Sequence, residues 1–392
     1  MAERNLDFDK VIDRSGTFCI KHDFKKEWGI PEDALSLWVA DMDFQTTSYV
    51  EDALEKRIRH NVYGYTDTKE EYFEAVSSWM KRRHGWDVEK DWLVKTPGVV
   101  FALATAVKAY TEPGDPVLIQ LPVYHPFKSV IEDNKRRVVS NDLFIGDDGR
   151  YRIDFEDFEE KIRTEKIKLF ILCSPHNPVG RVWTREELKR MGDICLKYGV
   201  TVISDEIHGD IILEGEHTVF ASVKKEFEKI SIICTSPSKS FNLAGMLISN
   251  IFIPDPELRK SFKKEYEASG MSELSALGLV AAEAAYRNGE EWFDAMLSYV
   301  RKNMAFAKEF TEKNLPGVNF TPIEGTYLIW LDFRKLGLSR KELDDIIINK
   351  AKLWLDSGRI FGKPGEGFQR INAACPRSAL EEAFNRIKTA LF

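Results

Sequence analysis

The 392-residue chain is poor in cysteine: only Cys19, Cys173, Cys195, Cys234 and Cys375 are present, an odd number set far apart. None belongs to a C-x-x-C pair, and no His or Cys stands at zinc-site spacing. A disulfide-stapled scaffold and a structural zinc module are both excluded, and buried free thiols in a reducing compartment are expected. No apolar run approaches the roughly 18 residues that span a bilayer, so no membrane partner is expected. Charge of one sign is not concentrated either: 56 Lys and Arg against 63 Asp and Glu give −7, spread without blocks. That pattern leaves no electrostatic footprint for nucleic acid. The opening residues MAERNLDFDK carry charge where a secretory signal needs an apolar stretch, so a cytoplasmic protein is expected. The Walker pattern and an early G-x-G-x-x-G are also missing, and with them the usual ATP and dinucleotide signatures.

What is present is the composition of a globular protein, 43% hydrophobic and 30% charged, at a length comfortable for two domains. Between residues 98 and 285, short apolar runs alternate with longer helical patterns. The runs are Val117–Gln120, Lys168–Cys173, Val200–Ser204, Ile230–Thr235 and Ile248–Ile253. This alternation predicts an α/β fold with a mostly parallel sheet flanked by helices, and near-continuous apolar strands predict a sheet covered on both faces. Thr184 followed by Glu187 reads as a capping box opening a helix toward Lys197. A helical stretch from Glu273 to Lys313, interrupted near Asn288-Gly289, leads into a different pattern. There the sequence predicts a strand in TYLIWLDF, a helix from Ser339 to Trp354, a strand at FQRIN and a last helix from Ser378. The expected division is a large domain over residues 47–284 and a smaller α+β domain formed by 285–392 together with 1–46.

In an open α/β sheet, ligands lie beyond the carboxyl ends of the strands. Three strand ends here lead into polar turns: Ser174-Pro175-His176-Asn177-Pro178, Asp205-Glu206-Ile207-His208 and Ser236-Pro237-Ser238-Lys239-Ser240. Lys239 is either a surface lysine or, held in a cleft where desolvation lowers its pKa, an amine suited to Schiff-base chemistry. Asp205 is either a helix cap or a carboxylate facing a protonated pyridine nitrogen. Asn177 shapes a turn or bonds a phenolic oxygen. The Thr96–Gly98 segment precedes a helical run, so the N–H groups of Val99 and Val100 open a helix end suited to phosphate, and Ser236 and Ser238 offer hydroxyls to the same anion.

These segments resemble fold-type I pyridoxal 5′-phosphate enzymes, and within them the MalY/PatB group of cystathionine β-lyases and cysteine desulfhydrases that includes cystalysin. The resemblance covers nearly the whole chain. It is carried by LWVADMDF at Leu37–Phe44, YGYT at Tyr63–Thr66, TPGVV at Thr96–Val100, PVYHPF at Pro122–Phe127 and CSPHNPVGRVW at Cys173–Trp183. SDEIH at Ser204–His208, SPSKSFNLAG at Ser236–Gly245, EGTYLIWLDF at Glu324–Phe333 and FQRINAACPRS at Phe368–Ser378 complete the series.

The resemblance implies that Lys239 binds the cofactor covalently and moves protons at the substrate's Cα, with Asp205 on the pyridine nitrogen. It implies that Asn177 bonds the phenolic oxygen, that Tyr124 stacks on the ring, and that His208 stands at or just behind the cofactor. Val99, Val100, Ser236 and Ser238 would hold the phosphate, joined by Tyr65 from the other subunit of a homodimer. Arg370 would clamp the substrate carboxylate, completed by the backbone at Val39 and Ala40. Many aminotransferases of this fold carry an arginine eight residues after the lysine; this chain has Leu247. The implied activity is α,β-elimination from a cysteine S-conjugate, a small amino-acid substrate. Transamination is the enzymatic alternative, and a regulatory protein-interaction role is the alternative of another class.

Overall fold

The computed structural model describes residues 2–392. Seven strands form the main sheet: β1 (Leu93–Thr96), β2 (Pro116–Ile119), β3 (Arg137–Ser140), β4 (Leu169–Cys173), β5 (Thr201–Asp205), β6 (Ser231–Thr235) and β7 (Ser249–Phe252). Their spatial order is β1-β7-β6-β5-β4-β2-β3. Only β7 runs antiparallel to its neighbours; every other pairing is parallel. Successive side chains of β4 part to opposite faces, with Leu169, Ile171 and Cys173 in one apolar cluster and Phe170 and Leu172 in the other. Both clusters are buried, which is why β4, LFILC, holds no polar residue. Each fully buried large apolar side chain contributes roughly 1.5–3 kcal/mol toward holding the layers together.

The Thr184–Glu187 capping box is present and opens the helix Arg185–Tyr198. The expected long helical stretch is two helices, Ala276–Asn288 and Glu290–Asn314, parted at Gly289. A second sheet holds β8 (Asn319–Phe320), β9 (Leu328–Asp332), β10 (Asp356–Ser357) and β11 (Phe368–Asn372), antiparallel in the order β8-β9-β11-β10. The chain ends in the helix Arg377–Leu391.

One expected element is corrected. The helix predicted from Ser339 to Trp354 is α-helical only over Arg340–Asp345, widens over Ile346–Lys350 and stops. Leu353 and Trp354 are extended and pair in parallel with Leu35 and Ser36. Lys352 in the left-handed region, at φ 52°, ends the helix and lets the next backbone groups bond an amino-terminal segment instead. That segment continues across β11, where Leu37 O accepts from Asn372 N at 2.9 Å. Glycine is required at position 358 by close approach: a Cβ there would stand 2.1 Å from the Gly365 carbonyl oxygen. The contact folds the Gly362–Gly367 stretch into a turn beside the edge of the second sheet.

Candidate active site

The register of the main sheet aligns Cys173 of β4, Asp205 of β5 and Cys234 of β6. The turns that follow these three positions converge on a cavity of about 910 Å³ that contains Asn177, Asp205 and Lys239 in its walls. Asp205 is buried, and its carboxylate accepts from the Ile207 N–H at 3.1 Å. Burial pushes its pKa up to about 7, against the pull of the Ile207 bond and of Lys239. Lys239 sits in the short helical turn Pro237–Ser240, and its Nζ donates to the Ala40 carbonyl at 2.5 Å. Burial lowers its pKa to about 8, with Asp41 drawing it up and Arg370 pressing it down. A buried carboxylate with no cation bonded to it among the described residues, beside an amine released from full protonation, suits a ligand that brings a protonated ring nitrogen and an aldehyde.

Arg370 enters from the second sheet. Its Nη1 donates to Asn177 Oδ1 at 3.0 Å and its Nη2 to the Trp38 carbonyl at 3.0 Å, while Nε has no partner among the described residues. Nη2 also forms a short ion pair with Asp356, which lies directly opposite Arg370 in the β10–β11 register. Burial pushes the Asp356 carboxyl up, and the Arg370 charge pulls it back. The guanidinium lies over the Phe361 ring, 4.8 Å from its centroid.

The cavity wall includes Trp38, Val39 and Ala40, and the carbonyls of the run Trp38–Asp41 are taken one after another. Trp38 O accepts from Arg370, Val39 O and Asp41 O from Asn372, and Ala40 O from both Lys239 and Tyr327. Opposite, Gly98 caps the helix Val99–Tyr110 with no side-chain hydrogen bond, and Val99 and Val100 line the cavity at that helix end. The first-turn N–H groups of a helix have no intrahelical partner, so they suit an anion here. Tyr124 lines the cavity and is tied to the asparagine turn through its N–H, which donates to Asn177 O at 3.0 Å. His208 also lines it, buried, with Nδ1 unpartnered among the described residues and its ring edge-on to Tyr327. Burial holds His208 well below the ordinary imidazole value, so it is neutral.

Of the residues expected from the sequence, Lys239, Asp205, Asn177, Tyr124, Val99, Val100, Ser238, His208, Arg370, Val39 and Ala40 share this one cavity. Two stand elsewhere. Ser236 lies just outside the cavity lining: its Oγ accepts from Ser238 N at 3.1 Å and bonds Ser238 Oγ and Ile248 O, each at 2.8 Å. Tyr65 is 95% exposed and outside its own chain's cavity, among Tyr63, Gly64, Thr66 and the segment Glu273–Leu277. Sequence reasoning missed Asp356 and the tryptophans Trp28, Trp38 and Trp354, all of which line the cavity. Trp354 was hidden inside the predicted helix, and Asp356 just beyond it. Trp38 stood within a quoted segment, where its aromatic side chain was the available signal.

Comparison with known proteins agrees with this geometry. Residues 33–387 match the family described as aminotransferase class I and II. Cystathionine beta-lyase PatB of Bacillus subtilis is 45% identical over 387 residues, covering 98% of this chain and all of the relative. Protein MalY of Escherichia coli is 34% identical, covering 96% of each. The crystal structure of cystalysin from Treponema denticola, which contains pyridoxal 5′-phosphate, superposes with a TM-score of 0.95 at 40% identity over 98% of each chain. This chain is a member of the class I and II aminotransferase family, within the branch of PatB, MalY and cystalysin.

Proposed function

We propose that this chain is a pyridoxal phosphate-dependent carbon–sulfur β-lyase. It converts L-cystathionine, L-cysteine or another cysteine S-conjugate, with one water, to a thiol or sulfide, pyruvate and ammonium. The observation that carries the reading is the meeting of Lys239, Asp205, Asn177 and Arg370 in one buried cavity, in a chain whose relatives include proteins named cystathionine β-lyase. When bound, the cofactor supplies an electron sink for negative charge at the substrate's Cα.

The chain supplies the rest. Lys239 holds the cofactor and, with an amine near neutrality, carries the Cα proton. Asp205 keeps the ring nitrogen protonated, and Asn177 and Tyr124 fix the plane of the ring. The N–H groups of Val99 and Val100 and the hydroxyls of Ser236 and Ser238 bind the phosphate. Arg370 binds the substrate carboxylate beside the backbone of Val39 and Ala40. Tyr65 completes the phosphate site of the second subunit in a homodimer, a role supported by its exposure outside its own cavity. The large unit of residues 47–284 carries the cofactor, and residues 1–46 with 285–392 carry the clamp. Four buried free cysteines suit a cytoplasmic setting, and among the described residues no helix is long and apolar enough to cross a membrane.

The experiment is an assay of thiol and pyruvate release across cystathionine, cysteine and S-alkyl cysteines. Equal yields of thiol and pyruvate are expected. Keto-acid formation that needs an amino acceptor and releases no thiol would replace this reading with transamination.

A further inference from the structure

Arg370 already holds a carboxylate of its own chain. Its two NH2 groups carry four hydrogens, and three of them go to Asp356, the Trp38 carbonyl and Asn177. A substrate carboxylate gripped by both groups must therefore share Nη2 with Asp356, so one arginine charge faces two carboxylates. Asp356 is not sealed behind the clamp: it is 8% exposed and lines the cavity. Beyond it the wall is aromatic. Trp38 and Trp354 stack at 4.7 Å and 18°, and Trp28 lies 5.6 and 5.9 Å from them with 61% of its surface open.

We propose that Asp356 and the Trp28–Trp38–Trp354 wall set leaving-group specificity, favouring cysteine S-conjugates whose sulfur arm is uncharged and apolar over those whose arm ends in a carboxylate without the neighbouring ammonium that cystathionine carries. The proposal rests on the β-lyase reading and names the substrate class of that site. An apolar or aromatic arm gains contact area on the open indole surface. A second substrate carboxylate meets Asp356 with no second arginine among the described lining residues, and the one lysine there, Lys239, is committed to the cofactor. His125 and His208 are both held below the ordinary imidazole value by burial and offer no cation. Like charges brought together in a desolvated site are strongly disfavoured, so the discrimination comes from repulsion as well as attraction.

The test uses two ligands without a sulfur leaving group and of equal chain length, L-norleucine and L-2-aminoadipate, which end in a methyl and a carboxylate respectively. Their binding to the pyridoxal phosphate-loaded protein is measured by calorimetry. Norleucine should bind about tenfold or more tighter to the wild type. Asp356→Asn should shrink that ratio severalfold by strengthening aminoadipate, whereas Asp356→Glu, which keeps the charge, should preserve it. Trp354→Ala should weaken norleucine and leave aminoadipate nearly unchanged. A wild type that binds both ligands equally overturns the proposal without any variant. So does an Asp356→Asn protein in which both affinities move by the same factor, the mark of a purely structural ion pair. If the ratios behave as expected but S-butyl-L-cysteine yields no thiol, the β-lyase reading fails while the assignment of Asp356 stands.

Discussion

The two groups whose pKa values burial moves furthest toward neutrality, Lys239 and Asp205, face each other's fields, and each change has a measurable sign. With the amine near 8, capture of added pyridoxal phosphate by the apoprotein should accelerate as pH rises and level off above about 8, where a solvent lysine would still be gaining. Stopped-flow absorbance reads the profile. Lys239→Ala should fold, shown by an unchanged circular dichroism spectrum, yet lose nearly all pyruvate formation. For Asp205 the folded pKa lies above the unfolded one, so its stabilising effect is complete below about 4 and is lost as pH rises through 7. Apo Asp205→Asn should therefore be more stable than wild type at pH 8 by roughly 1–3 kcal/mol, a gain that fades toward pH 5. Denaturant melts at both pH values test this, and the same variant should lose turnover. Arg370→Ala leaves Asp356 buried without its cation. It should cost kcat/KM on the order of 2–5 kcal/mol for cystathionine and cysteine alike while cofactor content stays near that of wild type.

At the level of elements, the site depends on short turns fixed by longer supports. The helix Arg185–Tyr198 is a support remote from the chemistry: Thr184 accepts from Glu187 N at 3.1 Å and Glu187 reciprocates to Thr184 N at 2.8 Å. Thr184→Ala should cost about 1 kcal/mol of stability, seen as a lower urea midpoint, with turnover unchanged. The run Trp38–Asp41 is the opposite case. Among the described residues it has no regular partner strand of its own along the cavity, and it is held by side chains from the lysine turn, from Tyr327 just before β9 and from β11. It couples the second sheet to Lys239 directly, because Arg370 and Lys239 bond carbonyls two residues apart.

For the whole molecule, the proposed homodimer makes each site composite, and complementation reads this directly. Mixing Tyr65→Phe subunits with Lys239→Ala subunits should form hybrids in which one site carries both defects and the other carries neither. Activity above that of either parent is expected once mass measurement confirms the hybrids and Tyr65→Phe alone is impaired. No recovery would place Tyr65 outside the partner's site.

The amino-acid sequence by itself determined five of the seven strands of the main sheet, marked by their apolar runs and polar ends, and left out β1 and β3, where Lys95 and Arg137 break the apolar pattern. It likewise determined the capping box at Thr184 and the grouping of Lys239, Asp205 and Asn177, since each follows a recognisable strand and three consecutive parallel strands have neighbouring ends. Family resemblance, not periodicity, supplied the cofactor and the role of Arg370. The tertiary structure alone decided what lies far apart in sequence. Trp354 became a strand residue because pairing with Leu35–Ser36 satisfied its backbone better than another helical turn. Ser236 caps the lysine turn, its Oγ accepting from Ser238 N. Asp356 met Arg370 through antiparallel register, a relation between strands that no local pattern encodes.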